Sequence, residues 1–385
     1  MGRLRSIGGL AAVALWLSAT AAPSCADSWA MPETTIYRSA DGRARMVVIP
    51  RDLDSQLDYF EDMERGKAQP GQRLAGEQVA RARVERWQGG RWQGVWDRPI
   101  PNGVAAVEAI VRGDGRYAAT FDDWHGTGYG SNVIVLYGPD GRIVRKMALA
   151  DFLPYFYVQA LPHSVSSIQW RGEPRFSADG TRVVLPIALP GGNGFATEKV
   201  DMTIALSDGA VSAADPLAWQ AAQSEGCRVH RRQLAAEAEH KAAFLAPLHR
   251  PTTNDQGAWH DYLREAIARR FGDGRRESTT VLRFPGAADY AVSEQWVSDE
   301  LHDQSTGDAA IATLSEPNLV AVLQRIAPTV TPGTQKGNTL YVAISARHWP
   351  QVEAALRPLG ATLVHLDPDV PIAQRPERIA RRYGS

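Results

Sequence analysis

The sequence predicts a mixed fold in which an antiparallel β-domain over residues 27–216 precedes a smaller α/β domain over residues 217–385. The first observation is a series of Asp-Gly pairs between β-rich runs in the N-terminal half. Such pairs favour hairpins because glycine accepts the positive φ of tight turns. The second observation is a change of period near residue 216, after which apolar residues recur at helical spacing. A domain boundary is therefore expected between about residues 215 and 223.

The β-domain repeats one unit three times: a turn, an apolar strand, a loop, a second apolar strand and a further turn. This unit resembles a blade of the propeller-type repeats of exported bacterial proteins, which implies a propeller-like arrangement of antiparallel sheets. The opening turns are 73 and 65 residues apart, longer than the roughly 40–50 residues of regular blades. Stacked antiparallel sheets thus remain an alternative to a closed ring. The opening turns are Asp41-Gly42, Asp114-Gly115 and Asp179-Gly180, and the second turns are Gly89-Gly90, Asp140-Gly141 and Asp208-Gly209.

The C-terminal domain alternates short apolar strands with amphipathic helices, preceded by helical stripes within residues 234–248 and 259–271. A βαβαβ order predicts parallel strands joined by right-handed crossovers. A further strand is expected over residues 280–284. The predicted elements are strands at 309–314, 339–345 and 362–366, and helices at 317–326 and 350–359.

The first 26 residues have the order of a secretory signal peptide. Arg3 and Arg5 precede an uncharged run over residues 7–22, and Ser24-Cys25-Ala26 ends in small residues. This order predicts cleavage close to Ala26 and a periplasmic or secreted protein. The run is near the lower length limit of a membrane helix and lacks a stop-transfer pattern. No membrane span is therefore expected in the mature chain.

Composition and motif content exclude several classes. The formal net charge of −1 gives no electrostatic reason to expect nucleic acid as a partner. Cys227 is left without an intrachain partner once Cys25 leaves with the signal, so a disulfide or a cysteine metal cage is not expected. The chain has no Gly-x-Ser-x-Gly, His-Glu-x-x-His, Cys-x-x-Cys or phosphate-loop motif. No cofactor or metal site is therefore predicted, and catalytic residues are unassigned.

One glycine-rich loop combines carboxylates, an imidazole and aromatic rings. Loops of this kind between strong strands carry function more often than core positions do. The glycines lead into a strand and not a helix, which argues against a phosphate site. The alternative without a function is a structural turn, in which the aromatic rings pack against the sheet and the carboxylates accept hydrogen bonds from backbone amides. The candidate ligand-binding residues are Asp122, Asp123, Trp124, His125 and Tyr129.

A second group of polar residues follows the predicted strands of the α/β domain. Open sheets bind ligands beyond the carboxyl ends of their strands. Helix capping and turn formation explain Ser315, Ser345 and Asp367 without any ligand. The residues at this edge are Ser315, Glu316, Ser345, Arg347, His348, Asp367 and Asp369.

The leading hypothesis is an exported protein that acts by binding, through loops of the β-domain, to a small molecule, a glycan or a protein. A repeated blade-like architecture without a catalytic signature motivates it. The competing hypothesis is a hydrolase or a metal-assisted enzyme centred on Asp122, Asp123 and His125, since carboxylates and imidazole can ligate metals or exchange protons.

Overall fold

A computed structural model describes residues 29–191, 198–303 and 307–384. The predicted signal segment lies outside the described residues. The chain divides into two compact units, the first ending at Leu234 and the second beginning at Ala235. Within the described ranges, no helix is both long enough and apolar enough to cross a membrane. Cys227 lies half-buried in a helix of the first unit with a free thiol.

The N-terminal unit contains three four-stranded antiparallel sheets, each built from strands that are consecutive in the chain. This confirms the predicted antiparallel β-domain at the level of its sheets. The first sheet comprises β1 (Thr35–Arg38), β2 (Ala44–Ile49), β3 (Arg81–Gln88) and β4 (Arg91–Pro99); the second comprises β5 (Ala106–Val111), β6 (Ala118–Asp123), β7 (Ile134–Tyr137) and β8 (Ile143–Met147); the third comprises β9 (Arg175–Phe176), β10 (Arg182–Ala188), β11 (Lys199–Ala205) and β12 (Val211–Ala213). The helices that begin in this unit are α1 (Gln56–Glu64), α2 (Tyr155–Ala160) and α3 (Pro216–Leu245).

The six predicted turns join strands one to two and three to four of each sheet. Their glycines have φ between 60° and 80°, the left-handed region that glycine tolerates best. Aspartate side chains complete the turns: Asp41 Oδ1 accepts the Arg43 amide at 3.0 Å, and Asp179 Oδ1 accepts the Thr181 amide at 3.1 Å. Because strands alternate in direction, the connection between strands two and three lies at the opposite end of each sheet.

The second sheet is buried on both faces. In β7, Ile134 and Leu136 pack in a cluster with the third sheet, while Val135 and Tyr137 pack in a cluster with the first sheet. The uninterrupted apolar run of this strand predicts that environment, because a strand with one face in water alternates apolar and polar residues. The second sheet is therefore the middle layer of the described β-structure.

The C-terminal unit is a parallel sheet with helices, as predicted. Its four strands are hydrogen-bonded in chain order. Helices α5 (Tyr290–His302), α6 (Glu316–Ile326) and α7 (Trp349–Leu356) pack in one cluster with the sheet, and α4 (Gln256–Phe271) packs in another. The strands are β13 (Glu277–Leu282), β14 (Asp308–Thr313), β15 (Thr339–Ala343) and β16 (Thr362–Leu366); a further helix is α8 (Pro376–Tyr383).

Alanine substitutions at two turn glycines distinguish the cost of a positive φ from the cost of steric overlap. An added Cβ at Gly42 meets nothing, whereas at Gly141 it would lie 2.6 Å from the Trp96 ring. Gly42→Ala should lower the free energy of unfolding by about 1–2 kcal/mol through the positive φ alone. Gly141→Ala should lower it by about 2–5 kcal/mol, because overpacking adds to that strain. Urea unfolding measures both, and equal losses would contradict the Trp96 contact.

Candidate functional site

The candidate loop begins at the end of β6 and leads to β7. Asp122 has φ of 59° and His125 has φ of 66°, and among the described residues these are the only two non-glycine positions with positive φ. Left-handed backbone at such residues costs about 1–3 kcal/mol each and persists where surrounding contacts impose it. The contacts of each residue therefore show what holds the loop.

The Asp122 carboxylate is fully buried, and both of its oxygens accept hydrogen bonds. Oδ1 accepts the Gly128 amide at 2.8 Å and Trp170 Nε1 at 3.0 Å, and Oδ2 pairs with Arg171 Nη2 at 3.0 Å. Burial raises the pKa of this carboxyl, while Arg171 and the other donors oppose the rise. The Asp122 carboxylate thus ties the loop backbone at Gly128 to Trp170 and Arg171, which is a structural role.

Arg171 connects this loop to the third sheet. Its Nη1 pairs with Glu108 Oε2 at 2.6 Å, and its guanidinium lies 4.6 Å from the centre of the Phe121 ring. Arg171 also forms an isolated bridge with Ile187 of β10. No local sequence pattern marks this residue, because its carboxylate partner is 49 positions away.

The Asp123 carboxylate has a different set of partners. It accepts Asn102 Nδ2 at 2.8 Å and Asn132 Nδ2 at 3.2 Å. Burial raises the pKa of the Asp123 carboxyl, and the amide hydrogen bonds oppose that rise. The two carboxylates share no donor, although Asn102 Nδ2 also donates to the Asp122 backbone carbonyl at 3.2 Å. The structure therefore does not join them as a pair of carboxylates.

The three remaining candidates pack against aromatic groups or loop carbonyls. Trp124 is buried, and its Nε1 donates to the Ala30 carbonyl at 3.0 Å. Tyr129 is 38% exposed, and its hydroxyl donates to the Ser164 carbonyl at 3.0 Å. His125 is half-buried. The ring centres of Phe60, Trp29, Trp124 and Tyr59 lie 4.3, 5.7, 5.8 and 6.3 Å from its imidazole.

Helix α1 supplies part of this surface, which we call the His125 surface (Trp29, Tyr59, Phe60, Trp124 and His125). The acidic, Gly- and Pro-containing sequence of residues 51–78 predicts a surface excursion, and no residue of α1 is fully buried. Tyr59 of this helix nevertheless packs edge-on against Trp124 at 5.1 Å. The adjacent aromatic residues at positions 59 and 60 are the signal that could have indicated a packed helix. Across the described ranges, no group of three or more His, Cys, Asp or Glu side chains is arranged to hold a metal ion.

A second polar cluster lies at the carboxyl edge of the parallel sheet. Glu316 Oε1 accepts the Ser345 amide at 3.1 Å, and Glu316 Oε2 lies 2.5 Å from Ser345 Oγ and 2.8 Å from His348 Nδ1. Arg347 Nη2 lies 3.3 Å from the same carboxylate. Four of the seven edge candidates thus meet. Asp367 Oδ1 instead accepts the Asp369 amide, Asp369 pairs with Arg250, and Ser315 bonds Thr313.

The geometry of this cluster is that of a link between elements. Ser345 donates to the carboxylate and sits on the Nδ1 side of His348, so the hydroxyl is not bonded to the nitrogen that a serine–histidine relay uses. Glu316 joins the start of α6 to the loop between β15 and α7. Burial alone would raise the pKa of Glu316, but hydrogen bonds from Ser345 and His348 outweigh burial and lower it.

Removal of the Asp122 carboxylate tests its structural role. Asp122→Ala leaves Arg171 buried beside one half-exposed glutamate, so the free energy of unfolding should fall by about 3–5 kcal/mol. Glu108 is the other acidic partner of Arg171, and the Glu108 side chain is 33% exposed. Glu108→Gln should therefore lower the free energy of unfolding by only about 1 kcal/mol. Urea unfolding of the two variants measures the difference. Equal losses would mean that Asp122 does not anchor the loop.

The lowered pKa of Glu316 predicts an acid-sensitive contribution to stability. A carboxyl with a depressed folded-state pKa stabilises the fold above its unfolded pKa of about 4.3 and loses that effect as pH falls. Glu316→Gln should therefore destabilise the protein at about pH 7 and converge with wild type near about pH 3. Glu353→Gln, which changes an exposed pair with Arg357, is the control. A constant gap between Glu316→Gln and wild type would contradict the assignment.

The comparisons with known proteins add little. No family model matches the chain, and no curated protein matches it. Among solved structures, the chain is similar to the AtxE2 isopeptidase as a serine-to-alanine variant with Astexin3-dC4 bound (8% identity, TM-score 0.20, 86% of this chain and 49% of that chain) and in its apo form (9% identity, TM-score 0.14, 85% and 61%). The chain thus spans about half to three fifths of their length. TM-scores of 0.20 and 0.14 are too low to indicate a common fold.

Proposed function

We propose that this chain is an exported binding protein whose ligand contacts the His125 surface of the β-unit. The order of charged, apolar and small residues before Asp27 supports export. The three consecutive four-stranded meanders support a propeller-like arrangement of blades. In that arrangement the connections between strands two and three lie at one end of the sheets. Helix α1 and the Asp122–Ser131 loop both belong to such connections.

The observation that carries the proposal is the left-handed backbone at half-buried His125. The strain at Asp122 is accounted for by its buried ion pair with Arg171. The left-handed backbone at His125 holds its imidazole at a partly exposed position, with the ring centre 4.3 Å from that of Phe60. Strained residues that the fold retains are concentrated at binding and active sites. Histidine at this place therefore supports a ligand contact.

The aromatic composition of the His125 surface favours a glycan over the other ligand classes. Aromatic rings offer flat apolar faces with polar edges, which suit stacking against sugar rings. The formal charge of the whole chain is close to zero, so the net charge attracts neither anionic nor cationic ligands strongly. A neutral glycan does not need such attraction. The partner that this surface fits best is a neutral oligosaccharide.

The enzyme alternative has fewer residues to act with. It was centred on Asp122, Asp123 and His125, but the Asp122 carboxylate accepts three hydrogen bonds, one of them from Arg171. A hydrolase or metal-assisted site would therefore depend on Asp123 and His125. Binding makes no demand on Asp122, and for that reason the geometry supports it better.

Tryptophan fluorescence tests the proposal with a panel of neutral oligosaccharides. Titration of the purified protein should perturb the emission, because Trp29 and Trp124 lie beside His125. His125→Ala and Phe60→Ala should each weaken binding about tenfold or more, as loss of a stacking contact in a binding pocket does. Trp87→Ala is the matched control, because Trp87 is an exposed ring on the β3–β4 hairpin that packs against Trp92. Unchanged oligosaccharide affinity in both His125→Ala and Phe60→Ala would refute the proposal.

A further inference from the structure

A buried arginine in the N-terminal unit has no acidic partner among the described residues. Arg51 follows β2 and is 5% exposed. Its Nε donates to the Gly103 carbonyl at 3.3 Å, Nη1 to Gln72 Oε1 at 2.8 Å, and Nη2 to the Pro70 carbonyl at 2.9 Å. All three acceptors are neutral. The positive charge of Arg51 is therefore buried without a counter-charge from this part of the chain.

An isolated buried charge is unfavourable, and a fold normally pairs it or replaces it with an apolar side chain. Burial lowers the pKa of Arg51, which agrees with the lack of a neighbouring carboxylate. A guanidinium carries five N–H donors, and the neutral acceptors use three of them. Two donors and one full charge therefore remain for a group from outside the described protein.

A pocket of about 270 Å³ lies beside this guanidinium. Arg51 lines it together with two of its acceptor residues, Pro70 and Gly103. The rest of the wall combines six apolar residues with four polar ones, Tyr59, Gln69, Gln78 and Asn102, and among the described residues of the lining only Arg51 is charged. Ligand sites have this composition: an apolar cavity with a few fixed polar groups.

We propose that this pocket binds a small organic monocarboxylate, with the carboxylate paired to Arg51 and the apolar body against Val79, Ile100 and Val104. The planar fork of arginine matches a carboxylate with two parallel hydrogen bonds. One cation in the lining neutralises one negative charge. A phosphate dianion or a dicarboxylate would leave one charge without a cation among the described residues of the lining. The volume suits a ligand of one ring or a short branched chain.

The carboxylate pocket and the His125 surface are neighbours with separate chemistry. Tyr59 lines the pocket and also packs against Trp124. The groups that would hold an anion, however, belong to Arg51, and those that would stack on a sugar belong to Phe60 and His125. Carboxylate binding and oligosaccharide binding can therefore be gained or lost independently.

Calorimetric titration of the purified protein with benzoate and isobutyrate tests the proposal, and the neutral amides of the same shape serve as ligand controls. Each carboxylate should bind at least about tenfold more tightly than its amide, since an ion pair with hydrogen bonds contributes more than neutral contacts do. Arg51→Met should remove that preference. Arg73→Met, at an exposed position in the same segment, should retain it.

A second variant decides the outcome if Arg51→Met does not fold. Val79 is 41% exposed at the edge of the pocket, so Val79→Trp can fill the cavity without changing charge, and it should abolish carboxylate binding. His125→Ala should bind benzoate as wild type does, whatever becomes of oligosaccharide binding. Carboxylates that bind no better than their amides, or full carboxylate binding in Val79→Trp or in folded Arg51→Met, would overturn the assignment.

Discussion

The buried ion pair between Asp122 and Arg171 is the contact on which the N-terminal unit depends. It joins the end of β6 to the segment that leads into the third sheet. Gly128 and Trp170 complete the hydrogen bonds of the carboxylate. Because a buried charge that loses its partner is strongly destabilising, this set of contacts fixes the left-handed backbone at Asp122. That conformation in turn sets where Trp124 and His125 lie.

The repeated meander explains why both proposed sites lie at one end of the sheets. Hairpin turns occupy the end that joins strands one to two and three to four, where Asp-Gly pairs satisfy the backbone locally. The other end carries longer connections, which have room for α1 and for the candidate loop. Tyr59 and Trp124 meet there although they are distant in the chain. Both proposed sites thus lie on the longer connections and not on the tight hairpin turns.

The C-terminal unit uses a similar set of polar residues for a different purpose. Strand ends bring Glu316, Ser345, Arg347 and His348 together, as the carboxyl-edge rule for parallel sheets leads one to expect. Their hydrogen bonds, however, are made within the group. A carboxylate that accepts several donors from one loop stabilises that loop, whereas Arg51 has spare donors and an adjacent pocket. The balance of donors and acceptors therefore distinguishes the two clusters better than residue type does.

The sequence by itself determined the features that depend on short stretches of chain: the six turns, the alternation of strands and helices after residue 300, the burial of β7 on both faces and the position of the candidate loop. Each of these follows from local backbone preference or from hydrophobic period. Only the tertiary structure decided the partners, since Arg171 lies 49 residues from Asp122 and α1 reaches the loop from another sheet. The neutral surroundings of Arg51 were equally hidden, because its acceptors come from two separate segments, residues 70–72 and Gly103. Whether a charged side chain has an opposite charge beside it depends on which distant segments pack together. A short stretch of sequence does not contain both partners of such a contact.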